Sequence, residues 1–256
     1  MLQVVPVKAF KDNYIWTLRA GGNAAVVDPG DAAPVLDYLG KEGLRLCAIL
    51  ATHHHADHVG GVAALLEVAG KGVPVYGPKR EPIPTLTHPV SEGDEVKVPE
   101  IGASFSVLDI PGHTRAHIAY YGAGALFCGD TLFACGCGRV FEGTPEQMYA
   151  SLEKLAALPD ETKVYCGHEY TLANIGFAKA VEPENRALVE REARDRRLRE
   201  AGRPTLPSTL GEEKATNPFL RCRQRPVVES ANKYLGERLG APAQVFAAIR
   251  EWKNRF

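Results

Sequence analysis

Thr52-His53-His54-His55-Ala56-Asp57-His58 closely follows the apolar run CAIL. A strand carries the chain inward, and alternation at its end puts His53 and His55 on one side and His54 on the other. Asp57 and His58 then open the next helix. This junction offers three imidazoles and a carboxylate, more than one tetrahedral ion needs, with His54 left to a supporting or packing role. A chance polar cluster is the bland alternative, and four closely spaced donors at a strand-to-helix junction weigh against it. Three further donors stand in the same local setting, each at the end of an apolar run: His113 after SVLDIPG, Asp130 after ALFCG and His168 after KVYCG. Collected on one sheet edge, these give His53, His55 and His113 for one ion and Asp57, His58 and His168 for a second. Asp130, with two oxygens to share, is the natural bridge. So imidazole-rich a set favours zinc or another late transition ion over magnesium or calcium.

Other chemically able residues read differently. His117 starts an apparent strand and is taken as structural, and His88, before a proline, is taken as a loop residue. Asp28, at the end of AAVVDPG, is balanced between a turn residue and a support for a metal ligand. The six cysteines lack a second ligand pair at zinc-site spacing and are read as packing or loop residues, reduced in the cytoplasm.

The elements that must position these donors follow from pattern. Strands are expected at 2–7, 13–19, 24–28, 46–51, 73–76, 104–110, 117–121, 125–129 and 163–166, with helices at 32–41, 59–69 and 145–157. The last begins with Thr144, Pro145 and Gln147, a capping-box signature. After about residue 170 the strand signal fades. Residues 184–201 read as a solvent-facing helix of mixed charge, 202–208 as a proline-punctuated loop, and 226–238 and 242–254 as short helices. The organisation is a mixed α/β domain over 1–170 followed by a helical one over 171–256. With 30 basic and 31 acidic residues the net charge is −1, which speaks against a nucleic-acid or membrane-surface partner. No stretch reaches the ~18 apolar residues of a membrane helix.

HxHxDH, followed in order by PGHT, FCGDT and YCGHEY, resembles the metallo-β-lactamase superfamily. THHHADH, GDTLFACGCGR, YCGHEYT, NPFLR and the terminal AIREWKNRF are similar to the glyoxalase II (hydroxyacylglutathione hydrolase) family, over essentially the whole chain. The resemblance implies a four-layer αβ/βα sandwich with a two-metal site at one edge and a small C-terminal helical domain. It also implies two ions per chain, zinc foremost with iron or manganese as alternatives, on the ligands named above. For substrate binding it implies Arg139, Phe141, Tyr170, Asn174, Arg250 and Lys253. Arg139 stands where lysine is common, and Phe141 where some members have tyrosine.

Two ions about 3.5–4 Å apart can share a water, hold it as a bridging hydroxide and polarise a carbonyl. Asp130 would carry that catalysis as the bridge, with Asp57 orienting the water. A thioester suits the arrangement because its thiol, with a pKa near 8.5, leaves as thiolate without a dedicated acid. The expected reaction is hydrolysis of S-(2-hydroxyacyl)glutathione, S-D-lactoylglutathione in particular, to glutathione and D-lactate in methylglyoxal detoxification, by a cytoplasmic monomer. The alternatives are a lactonase or β-lactamase, a metallo-nuclease, and an iron-dependent glutathione persulfide dioxygenase, which needs one ion only.

Overall fold

In the computed structural model, which describes residues 2–70 and 72–256, the chain forms two compact units. One comprises Met1–Asp109 with Ala116–Gly129, the other Ile110–Arg115 with Asp130–Phe256.

The first unit begins as an antiparallel meander, β1 (Gln3–Ala9), β2 (Asn13–Ala20) and β3 (Asn23–Val27), in which Val5 faces Thr17 and Trp16 faces Val27. Helix α1 (Ala32–Glu42) then carries the chain over to β4 (Arg45–Leu50), which pairs parallel to β3 with Val27 opposite Leu50. Leu46 to Leu50 are all buried, the unbroken apolar run expected of a parallel strand covered on both faces. Asp31 caps α1 through its side chain, and Gly43 closes it in the left-handed conformation at φ 63°.

After β4 come α2 (Ala56–Val59) and α3 (Val62–Ala69), then β5 (Val75–Pro78) and β6 (His88–Val90), each parallel to its neighbour. Val26, Val35, Ile49, Val62, Leu65 and Val75 pack as one core, each fully buried and contributing about 1.5–3 kcal/mol. Four more strands, β7 (Glu95–Val98), β8 (Ala103–Asp109), β9 (Ile118–Gly122) and β10 (Ala125–Gly129), form an antiparallel meander. In β7 and β8 burial alternates residue by residue, with Val96, Val98, Phe105 and Val107 inward.

Two expectations change here. Residues 59–69 are not one helix, because Gly60 and Gly61 separate α2 from α3. Gly61 donates to Pro29 O at 3.0 Å, and a Cβ there would lie 2.5 Å from the Ala32 nitrogen, so close backbone approach interrupts the helix. His88 is not in a loop but begins β6, paired with Tyr76, and β7 also went unread for want of a longer apolar run.

The second unit opens with a tight hairpin, β11 (Leu132–Phe133) and β12 (Gly136–Cys137). Helix α4 (Pro145–Ala156) carries the full capping box between Thr144 and Gln147. Strand β13 (Lys163–Cys166) leads to α5 (Thr171–Val181) and α6 (Arg186–Glu200). Strand β14 (Ser208–Thr209) pairs antiparallel with β13, so the loop read at 202–208 ends in a strand. Helices α7 (Leu210–Thr216), α8 (Arg225–Leu235) and α9 (Pro242–Arg255) complete it around Phe177, Phe219 and Phe246. Helix α6 is not a purely solvent-facing helix: Leu188, Arg191 and Asp195 are buried, the charges inward as partners of one another and of α7. Among the described residues no helix is long and apolar enough to cross a membrane. All six cysteines are buried free thiols.

Gly30 gives a direct test of this packing, since a Cβ there would stand 1.9 Å from the Asp57 carbonyl oxygen. Gly30→Ala should cost at least ~2 kcal/mol by forcing backbone apart, whereas Gly40→Ala, exposed within α1 with open space around it, should stabilise by roughly 0.5–1 kcal/mol. Equal urea midpoints for the two variants would contradict the close approach.

Candidate metal and substrate site

In the first unit the donor cluster is organised from behind by one carboxylate. Asp28 sits at the end of β3 with φ 53°, a left-handed conformation that aspartate tolerates at a cost of about 1 kcal/mol. Its Oδ1 accepts the Thr52 N–H at 2.7 Å, and its Oδ2 accepts the Thr52 hydroxyl at 2.7 Å and His58 Nδ1 at 3.1 Å. Because the Thr52 proton is committed to Asp28, Thr52 Oγ1 accepts from His53 Nδ1 at 3.0 Å. Both imidazoles thus carry their proton on Nδ1 and keep the Nε2 lone pair for a metal. The ring of His53 lies 4.7 Å from that of His55 and 4.2 Å from that of His58, and donor atoms of Asp28, His53 and His58 fall within 4.8 Å of one another.

Asp57 Oδ2 stands 3.5 Å from His58 Nε2 and accepts Asn13 Nδ2 at 3.1 Å. His54 turns away as the alternation requires: its backbone N–H and Nδ1 both meet Glu81 Oε2, at 2.7 and 2.5 Å. His117 stacks on His53 at 4.5 Å and bonds the Ile118 carbonyl. These contacts favour the supporting role for Asp28 over that of a turn residue. Asn13 and Glu81 were missed, as an isolated amide in a strand and an isolated acid in a loop carry no spacing signal.

The second unit brings His113, Asp130 and His168 together. One oxygen of Asp130, Oδ2, lies 3.5 Å from His113 Nε2 and 3.3 Å from His168 Nε2. His113 Nδ1 donates to the Arg139 carbonyl at 2.8 Å, which again puts the ring's lone pair on Nε2. His168 stacks flat on Tyr170, with centroids 4.6 Å apart, and meets Phe133 edge-on. Two imidazoles meet one carboxylate oxygen here, donor types able to hold a metal ion.

Beside His113 and Asp130 lies a cavity of about 410 Å³. Arg139, Phe141, Tyr170, Asn174, Arg250 and Lys253, the six residues implied for substrate binding, all line it. Their states differ. Phe141 and Tyr170 are exposed at 61% and 36%, available to a ligand. Arg250 is buried, donating from Nη1 to the Cys137 carbonyl at 2.8 Å and from Nη2 to Asn254 at 3.1 Å, over the Phe219 ring. Asn174 donates to the Ala134 carbonyl and accepts from Lys253. Burial, and then the Arg250 charge, push the Lys253 ammonium down to about 8.

These two donor groups and this fold define a metal-binding α/β protein. Residues 12–168 match the family described as the metallo-beta-lactamase superfamily, and residues 169–256 match the hydroxyacylglutathione hydrolase C-terminus. A hydroxyacylglutathione hydrolase of Nitrosomonas eutropha is 56% identical across the full length of both chains, and one of Vibrio parahaemolyticus is 55% identical, again end to end. The chain therefore belongs to the hydroxyacylglutathione hydrolase family. Among solved structures, ETHE1 from Myxococcus xanthus is 27% identical with a TM-score of 0.65, over 99% of this chain and 98% of that one. The BLEG-1 B3 metallo-beta-lactamase is 26% identical with a TM-score of 0.62, over 86% and 99%. The fold class is the α/β metallo-β-lactamase fold with a helical C-terminal domain.

If Asp28 holds two imidazoles in their metal-ready tautomers, Asp28→Asn should lower metal affinity about 10–100-fold. Thr52→Val, which removes the acceptor of His53 and leaves the Asp28–His58 bond in place, should have a smaller effect. Competition of the metal-free protein against a chromogenic chelator reads this directly, and wild-type affinity in Asp28→Asn would refute it.

Proposed function

We propose that this protein hydrolyses S-(2-hydroxyacyl)glutathione, S-D-lactoylglutathione foremost, to glutathione and a 2-hydroxy acid, in the cytoplasm and as part of methylglyoxal detoxification. The observation that carries the reading is the cavity of about 410 Å³ beside His113 and Asp130, lined by two guanidinium groups, an ammonium and three aromatic rings. Glutathione carries two carboxylates and a flexible peptide, and such a lining suits it. Family membership supports the same conclusion.

Two ions, zinc foremost with iron or manganese as alternatives, would be held by His53, His55 and His113 and by Asp57, His58 and His168, with Asp130 shared. The chemistry they supply when bound is a hydroxide nucleophile near neutral pH and a polarised thioester carbonyl. The chain's own residues do the rest. Asp57 accepts a hydrogen bond from Asn13, which orients the carboxylate that would position the attacking water. Tyr170 and Phe141 offer faces to the peptide, and Arg139 and Lys253 offer charge to its carboxylates. Arg250, tied to Cys137, adds fixed positive charge to the cavity wall. The departing thiolate needs no proton donor. In this reading residues 1–170 form the catalytic domain and 171–256 the helical substrate-binding one.

Metal analysis of purified, fully active protein should find close to two equivalents, and Asp130→Ala should reduce kcat by orders of magnitude more than His54→Ala. Less than one equivalent would refute the binuclear reading.

Lys253 makes the substrate site pH-sensitive. Its ammonium is needed to hold a carboxylate and is lost above about pH 8, so KM for the glutathione thioester should climb there. Unfolded, the lysine keeps its proton to about 10.5, so this group adds to stability as pH rises from 8 to 10.5. Lys253→Ala should raise KM roughly tenfold at pH 7 and flatten the profile, with kcat little changed. An unaltered KM in steady-state kinetics would remove Lys253 from the substrate site.

A further inference from the structure

The hairpin of β11 and β12 places Phe133 and Cys137 in the cavity wall. Its corner residue, Cys135, is fully buried and has φ 54°, a left-handed conformation that a residue with a Cβ holds only when its surroundings require it. The requirement comes from 78 positions along the chain, on α7. Glu213, itself fully buried, accepts the Cys135 N–H at Oε2 at 2.8 Å and Asn217 Nδ2 at 3.1 Å. Its other oxygen accepts Arg191 Nη2 at 2.7 Å.

Asn217 Nδ2 also spans the hairpin, donating to the Phe133 carbonyl at 3.1 Å and the Gly136 carbonyl at 2.9 Å. Arg191 is held in turn by Thr216 Oγ1 at 2.7 Å and Asp195 at 3.4 Å. A buried ion pair repays its desolvation poorly as a source of stability. A fully satisfied polar network does, however, specify one geometry.

We infer that Glu213, backed by Arg191 and Asn217, is a positioning residue for the glutathione-binding cavity: by holding Cys135 in its left-handed conformation it sets where Phe133 and Cys137 stand. Through the Cys137 carbonyl it also sets the seat of Arg250. The inference rests on the reading of that cavity as the glutathione site. It assigns to α6 and α7, which contribute no residue to the cavity lining, control over substrate affinity.

The test compares wild type, Glu213→Gln, and Glu213→Gln with Cys135→Gly, each metal-loaded. Calorimetry gives the Kd of free glutathione; kinetics give KM and kcat on the glutathione thioester and kcat/KM on a short acyl thioester. Glu213→Gln should raise Kd and KM about tenfold and leave kcat and short-thioester hydrolysis within about twofold. Glycine at position 135 holds a left-handed φ unaided, so the double variant should recover at least about threefold of the lost affinity.

A network that merely joins α6 to α7 predicts a lower melting temperature with wild-type Kd and KM, and no rescue; either result overturns the inference. Should Glu213→Gln not fold, Asn217→Ala removes the two donors to the hairpin without stranding a charge and carries the same comparison. A wild-type protein that fails to bind glutathione overturns the cavity reading and this inference together. Binding in wild type with unchanged affinity in the variants overturns this inference alone.

Discussion

One carboxylate governs the chemistry of the first unit. Asp28 accepts a hydrogen bond from His58 Nδ1 directly and orients the Thr52 hydroxyl that accepts from His53 Nδ1, so both rings present an Nε2 lone pair. Without a fixed acceptor behind it, a neutral imidazole divides between two tautomers, and only one of them carries its lone pair on Nε2. The surrounding backbone is built to this requirement. Asp28 takes a left-handed φ, its N–H bonds the Leu50 carbonyl at 2.9 Å, and the adjacent chain passes so close to Asp57 that only glycine fits at 30. The unit accepts strain at the strand end in return for preset ligands.

The second unit applies the same logic to His113, whose Nδ1 is fixed by the Arg139 carbonyl. Here the acceptor is backbone, so the loop that carries Arg139 and Phe141 and the imidazole are placed by one contact. Cavity and donor group are thereby tied by one hydrogen bond. The aromatic cluster of Phe177, Phe219 and Trp252 gives α9 a rigid seat, and Arg250 and Lys253 lie over two of these rings. Long cationic side chains lose less entropy on binding when packing has already ordered them.

The thiols are kept out of the chemistry. Burial pushes Cys47 up to about 11 and Cys135 up to about 12, and drives Cys166 and Cys222 further in the same direction. Cys137 is raised as well, though Arg250 beside it pulls the other way. A neutral thiol is a poor metal ligand and a poor nucleophile, so cysteines can fill space beside Asp130 and His168 without competing with them.

The donors were legible in the sequence because strand alternation and strand-end placement are local rules. Those rules alone set His53 and His55 apart from His54, and put His113, Asp130 and His168 each at the close of an apolar run. The superfamily, the helical tail and most strands followed from pattern and motif in the same way. The supports could not be read. Asn13, Glu81, Arg191, Glu213 and Asn217 are single polar residues whose partners lie up to 84 positions away, and no local period marks such a pair. Charge pattern misled at α6, since a mixed-charge helix reads as solvated while tertiary pairing buries Arg191 against Glu213. Sequence alone marked the histidines and aspartates able to hold a metal, because strand alternation and strand-end placement are local; only the fold, by bringing distant donors and acceptors within hydrogen-bond reach, decided which tautomers and backbone conformations they are held in.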